Sequence, residues 1–271
     1  MMANQPFTVR ASSWGSLFDC AHAWEGVHIM KLRKPSGLRA QLGTAIHAGT
    51  AAFDIGRLPG NTPITPDDAA GVFVDALRSP DAEVDLGVDD LTVKEAESIG
   101  LKLTTSYCFD IAPQFTFVDV EAKLKPLEIV CGNGILVRLT GSMDRARVAM
   151  CGSGHVITDV KTGARAIEDG QVKTTPHLPQ LGTYQVMYEQ DRQINTAGSQ
   201  ILGMKTSGKP VIDISPVVDA KSVMVGDEDS PGLIQYAAAM FRTGLFPPNT
   251  KSILCSDRYC ARWQICRFRG R

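Results

Sequence analysis

The sequence predicts a mixed α/β protein organised as a single domain, and three features lead there. Residues 12–56 place apolar side chains at helical spacing. From Gln114 the pattern changes to runs rich in aromatic and β-branched residues, as strands require. After residue 163 helical and strand patterns follow one another. In a chain of 271 residues, 44% hydrophobic and 21% charged content supports a packed core rather than disorder.

Taken in order, "SSWGSLFDCAHAWEGVHI" predicts one helix. Ser12 or Ser13 is its N-cap, Trp14, Leu17, Phe18, Ala21 and Trp24 line one stripe, and Cys20 lies on or beside it. "GLRAQLGTAIHAGTAAFDIG" predicts a second helix that carries His47. Loops rich in Pro, Gly, Thr and Asp then surround a short helix over 69–77, and "LTVKEAESIGLKLTTSYCFDI" predicts another. Residues 48–112 therefore read as a mostly helical insert.

Three consecutive strands follow: "FTFVDVEAKL", "ILVRLTGSMDRARV" and "HVITDVKT". Their short glycine-containing links predict an antiparallel meander. "LPQLGTYQVMYEQ" predicts a helix with Gln180, Tyr184 and Tyr188 on one face. "SQILGMKTS" and "PVIDISPVV" predict two more strands. "SPGLIQYAAAMFRTG" closes the set as a helix with Pro231 at its first position and Gly244 as its stop.

A net charge of −1 neither requires nor excludes a nucleic-acid partner, because local clusters decide. The charge is uneven. Residues 67–90 are acidic, whereas the C-terminus carries Arg258, Arg262, Arg267, Arg269 and Arg271. No apolar run reaches membrane-spanning length, and "MMANQPFTVRASS" lacks the pattern of a signal peptide, so an intracellular protein is expected. Seven cysteines, an odd number, argue against a disulfide framework. Cys108, Cys131 and Cys151 are expected in the core. Cys255, Cys260 and Cys266 crowd the C-terminus, and Cys20 stands alone near the other end.

Asp159 and Lys161 are two residues apart on one strand, so their side chains share a face. Such a pair by itself reads as a solvated ion pair. Asp144, near the end of the adjoining strand, supplies a second carboxylate about 4.8 Å across the sheet. Two such oxygens suit Mg²⁺ or Mn²⁺.

Five stretches in order then resemble one family: "GTAIH" with His47, "VDVEAK" with Glu121, "LTGSMDRA" with Asp144, "ITDVKTG" with Asp159 and Lys161, and "QLGTY" with Gln180 and Tyr184. They resemble the RecB-like branch of the PD-(D/E)XK nuclease superfamily. The resemblance implies a restriction-endonuclease-like core, a mixed sheet flanked by helices. It also implies His47, Asp144, Asp159 and the Val160 carbonyl as ligands of Mg²⁺ or Mn²⁺. By the same carry-over Glu121 orients a ligand or water, Lys161 is catalytic, and Gln180 and Tyr184 grip DNA.

Cys20 with Cys255, Cys260 and Cys266 resembles the iron–sulfur staple of CRISPR-associated and phage-type exonucleases. That implies a [4Fe–4S] cluster in a cap formed by residues 11–30 and 250–271, with Trp14, Trp24 and Trp263 packed around it. A zinc ion is the competing occupant. The implied function is metal-dependent DNA exonuclease activity on single strands or DNA ends. The setting would be phage or bacterial recombination, repair or spacer processing, beside recombination or CRISPR proteins in the host cytoplasm. A catalytically inactive DNA-binding relative and a zinc-stapled endonuclease are the alternatives.

Overall fold

The computed structural model describes residues 6–269 except 151 and 153. Cys151 and Arg271, singled out above, lie outside the described residues.

The chain begins with strand β1 (Phe7–Arg10), a single 3₁₀ turn, and helices α1 (Trp14–Asp19) and α2 (Ala21–His28). The expected single helix here is two. Cys20 breaks it with an extended backbone, φ −143° and ψ 92°. The backbone N–H of Asn249 donates to the Cys20 Sγ at 3.3 Å, so the break faces the C-terminal segment.

Helices α3 (Leu38–Gly56), α4 (Pro66–Arg78) and α5 (Val93–Ser106) follow. α4 starts earlier than expected because Thr65 and Asp68 form a reciprocal capping box ahead of it, with Pro66 in its first turn. Thr92 and Glu95 do the same for α5.

Next come β2 (Phe117–Lys123), β3 (Leu127–Val130), β4 (Leu136–Thr140), β5 (Ser142–Val148) and β6 (His155–Gly163). The chain then runs through α6 (Leu178–Arg192), β7 (Thr196–Lys205), β8 (Val211–Ile214), α7 (Lys221–Val225) and α8 (Leu233–Thr243). Pro231 precedes Gly232, the N-cap of α8, and so lies outside the first helical position expected for it. Gly244 ends α8 at φ 65°, in the left-handed region that glycine adopts freely.

The main sheet has five strands in the order β8–β7–β6–β5–β2. β6 and β7 run parallel, and the other neighbours are antiparallel. The expected meander is present as β2–β5–β6, with one correction: "ILVRLTGSMDRARV" is not one strand. It divides at Gly141 into β4, which joins β1 and β3 in a separate three-stranded sheet, and β5. A Cβ on Gly141 would stand 2.8 Å from a Tyr184 ring carbon and 3.1 Å from Ala11 Cβ, so the crossing passes where only glycine fits. β3 itself arises within "KPLEIVCGNG", expected as a plain link.

Helices cover both faces of the main sheet. α3, α4 and α5 bury Leu42, Ile46, Phe73 and Leu103 against Val160, Leu202 and Met204. On the other face α6, α8 and the N-terminal helices enclose Ala146 and Ile157 with Trp14, Trp24, Met187 and Phe241. Each such large apolar side chain stabilises the fold by about 1.5–3 kcal/mol relative to exposure. Among the described residues none beyond Phe241 is buried, so the C-terminal segment lies on this framework without a core of its own.

Candidate active site

The pairing registers align the acidic residues across three strands. β5 and β6 pair Arg145 with Thr158, which sets Asp144 opposite Asp159 one step further. β2 and β5 pair Val120 with Arg145 and Ala122 with Met143, which sets Glu121 opposite Asp144. Glu121 and Asp144 are themselves absent from the ladder because Glu121 has φ 49°. A non-glycine residue in that region is strained, and such strain collects at functional sites. Asp144 thus lies near the start of its strand, not near the end as expected, and Asp159 lies in the middle of its own.

His47 descends onto this row from α3. Gly43, one turn earlier, permits the approach: a Cβ there would stand 2.5 Å from the Thr162 hydroxyl. Gly43→Val is therefore expected to push α3 off β6. It should cost about 1–3 kcal/mol in a urea melt and weaken Mn²⁺ binding, because His47 moves with the helix.

The His47 Nδ1 is 3.5 Å from the Asp144 Oδ2. That same oxygen accepts the Val160 backbone N–H at 2.7 Å. His47, Glu121 and Asp144 each offer a ligand atom, all within 4.8 Å of one another, and among the described residues no cysteine group closes as tightly.

Asp159 stands beside this group, close enough for the Asp144 charge to act on it. Its Oδ2 is 2.6 Å from the Lys161 Nζ, and its Oδ1 accepts from Gln180 Nε2 at 3.2 Å. The same Gln180 nitrogen donates to the Tyr184 hydroxyl at 3.2 Å. Gln180, expected to grip DNA with Tyr184, thus bonds both Asp159 and Tyr184, and Tyr184 is only 4% exposed. The α6 turn places them there because residues four apart share a helix face.

Crowding shifts the protonation of these groups. Burial raises the Asp159 carboxyl to about 6, against the pull of Lys161, and Asp144 adds to the rise. Glu121 reaches solvent at its edge but is ringed by protein. That desolvation, with Asp144 close by, raises it to about 7. Burial lowers His47, outweighing Asp144, and so favours the neutral imidazole that a metal needs. Burial also works against the Lys161 ammonium, but Asp159 and Asp144 outweigh it and hold the proton on. Since a divalent ion displaces those carboxyl protons, Mn²⁺ affinity is expected to rise from pH 5 to pH 8 in a calorimetric titration, most steeply near 6–7.

His177 was not singled out by the sequence. It precedes α6, and burial together with Lys161 lowers it to about 4, so a neutral imidazole borders the site. Only the resemblance would have drawn the eye to that turn, and its motif begins three residues later.

The four expected cluster cysteines come together elsewhere. Cys20, Cys255, Cys260 and Cys266 line one pocket with Trp24, Trp263, Val27 and Leu254. Trp14 is buried beneath, stacked on Phe18. The Asp19 carboxylate accepts from Ser252 Oγ at 2.5 Å and from Asn249 Nδ2 at 3.3 Å, and Arg262 donates to the His22 carbonyl at 2.8 Å. Cys108 is buried as expected, whereas Cys131 is half-buried and packs against the edge of the core.

Among the described residues no helix is long and apolar enough to cross a membrane. No curated protein sequence matches the chain. A solved structure from Eubacterium rectale, described as a candidate exonuclease, superposes with a TM-score of 0.54 at 13% identity, covering 96% of this chain and 88% of that one. At that identity the likeness concerns the fold alone. Another, SSO0001, has a TM-score of 0.38 at 12% identity over 86% of this chain and 95% of its own. The family model for the PD-(D/E)XK nuclease superfamily matches residues 11–267, nearly the whole chain. With the sheet order, the acidic row and this match in place, the chain belongs to the PD-(D/E)XK nuclease superfamily.

Proposed function

We propose that the protein is a metal-dependent DNA exonuclease that hydrolyses phosphodiester bonds on single strands or DNA ends. The observation that carries this reading is the row Glu121–Asp144–Asp159 with His47 and Lys161 at its flanks. The donor set is one neutral imidazole and several carboxylate oxygens, which fits Mg²⁺ or Mn²⁺. His47, Asp144 and Asp159 would hold the ion with the Val160 carbonyl. Glu121 joins His47 and Asp144 in the tight group and so stands closer to direct ligation than its sequence-based role behind the ion. When bound, the ion supplies Lewis-acid polarisation of the scissile phosphate and of a water.

The protein's own groups do the rest. Lys161, held as an ammonium, places a positive charge where the phosphorane-like transition state gathers negative charge. At pH 7 its use as a base would cost roughly 4–5 kcal/mol even from an unperturbed value. Gln180 fixes the rotamer of Asp159, and Tyr184 braces Gln180 from behind. Digestion of end-labelled and circular DNA tests the reading: linear DNA should shorten from its ends with Mg²⁺ or Mn²⁺, and circles should persist. Cut circles would establish an endonuclease, and no cleavage with either ion would favour the inactive DNA-binding alternative.

The pocket at Cys20, Cys255, Cys260 and Cys266 fits an iron–sulfur cluster. Two observations support it: the C-terminal segment has no buried residue among those described, and four thiols line one apolar pocket. Small elements without a core are commonly stapled by metal. A zinc ion about 2.3 Å from each sulfur needs the sulfurs about 3.8 Å apart. Elemental analysis for iron against zinc in the purified protein separates the two occupants. Phage or bacterial recombination, repair and spacer processing are the settings this chemistry suits.

A further inference from the structure

A buried ion pair stands directly behind the acidic row. Arg145 follows Asp144 on β5 and is 0% exposed. Its Nε donates to the Asp54 Oδ2 at 2.6 Å, and a terminal nitrogen donates to the Thr50 hydroxyl at 2.9 Å. Asp54, also 0% exposed, receives the Tyr107 phenol on the same oxygen at 2.6 Å. The guanidinium lies 5.5 Å from the Tyr107 ring centre and 6.0 Å from that of Phe117.

The placement of these partners is what matters. His47, Thr50 and Asp54 are spaced at i, i+3 and i+7 on α3, which puts them along one helix face. Thr50 donates in turn to the Ile46 carbonyl at 2.8 Å, in the peptide that leads into His47. One guanidinium therefore grips α3 at two points past His47, while its own backbone sits next to Asp144. It ties together the two elements that supply the facing atoms 3.5 Å apart in the site.

Stability is a weak reason for such a pair. Desolvating two charges offsets most of their attraction, and apolar side chains of similar volume hold a core as well or better. The pair is also incompletely satisfied: among the described residues one terminal nitrogen of Arg145 has no hydrogen-bond partner, and the Asp54 Oδ1 has none closer than the Arg57 guanidinium at 3.7 Å. What an apolar replacement lacks is direction. A planar fork fixes distance and angle between helix and strand, and loose packing does not.

We propose that the Asp54–Arg145 pair is a positioning device for the divalent-ion site, setting the separation of His47 from Asp144 and thereby the affinity for the ion. The inference rests on the reading of His47 and Asp144 as ligands. Neither Asp54 nor Arg145 touches the substrate.

The test uses the full chain as wild type, as the paired apolar variant Asp54→Leu with Arg145→Met, and as Arg145→Lys, which keeps the charge and loses the fork. Free Mn²⁺ is followed by electron paramagnetic resonance during titration, beside a thermal melt without metal and cleavage measured across Mn²⁺ concentration. Both variants are expected to melt cooperatively and to bind Mn²⁺ at least about ten-fold more weakly, as outer supports of ligands do when removed. Cleavage lost at low Mn²⁺ should return at high Mn²⁺. Wild-type affinity in a folded variant overturns the proposal and leaves the nuclease reading standing. Loss of cooperative melting in both variants assigns the pair to stability and overturns it too. A wild type that binds no Mn²⁺ removes the metal site itself, and the proposal with it.

Discussion

Lys161→Met is expected to lower the cleavage rate at least about 100-fold while the protein still folds and still binds Mn²⁺. The size follows from removing a preorganised charge aimed at the transition state, which typically costs about 3–4 kcal/mol. Methionine keeps the length of the side chain, and Lys161 is 22% exposed, so little packing is lost. The ammonium is 2.6 Å from Asp159, and without it burial holds that carboxyl protonated to higher pH. The assay therefore belongs at pH 8 or above, where Asp159 is again ionised. Rapid-quench cleavage with calorimetric Mn²⁺ titration separates the outcomes. Full activity in the variant would show that the charge has no part in the chemistry, and lost Mn²⁺ binding would show that Lys161 acts only through Asp159.

Cys260→Ala should have the second large effect, on stability and colour. The C-terminal segment has only a single 3₁₀ turn, Trp263–Ile265, and no buried residue among those described, so polar contacts such as Ser252 to Asp19 hold it where the cysteines do not. Hydrogen bonds of that kind, made to a charged group, contribute about 1.5–3 kcal/mol each. Metal-centred staples contribute far more, on the order of 10 kcal/mol in small domains. A drop in melting temperature of roughly 10 °C or more is expected, together with loss of visible absorbance and of iron by elemental analysis. A colourless wild type carrying zinc would replace the cluster with the competing ion. An unchanged melt would mean that the segment is held by its polar contacts after all.

The main sheet was legible because its strands carry their own signals. "HVITDVKTG" became β6 over the expected span, and the α3 and α6 patterns gave helices almost to the residue. Where the sequence misled, the deciding interactions were tertiary. The alternation of "ILVRLTGSMDRARV" runs unbroken through Gly141, but the crowding of Tyr184 and Ala11 that forces the chain from one sheet to the other is absent from local pattern. Cys20 breaks a helix that its neighbours favour, and its sulfur accepts from Asn249, a residue more than 200 positions away.

The site shows the same division. Asp144, Asp159 and Lys161 could be placed on a shared face from strand period alone, and the registers bring them together. The bond from Gln180 to Asp159 could not be read, because it depends on how α6 packs against β6. Arg145, Thr50 and Asp54 are ordinary polar residues in sequence. Their meaning appears only when α3 closes on β5, with Arg145 bonded across the gap.

The central claim is that the acidic row works through a divalent ion to cut DNA. End-labelled linear DNA, incubated with Mn²⁺ beside wild type and Asp159→Ala at equal concentration, tests it most directly. Wild type should release product only when Mn²⁺ or Mg²⁺ is present, and Asp159→Ala should release none while keeping a cooperative melt. Cleavage by wild type in excess chelator, or equal cleavage by Asp159→Ala, would contradict the account.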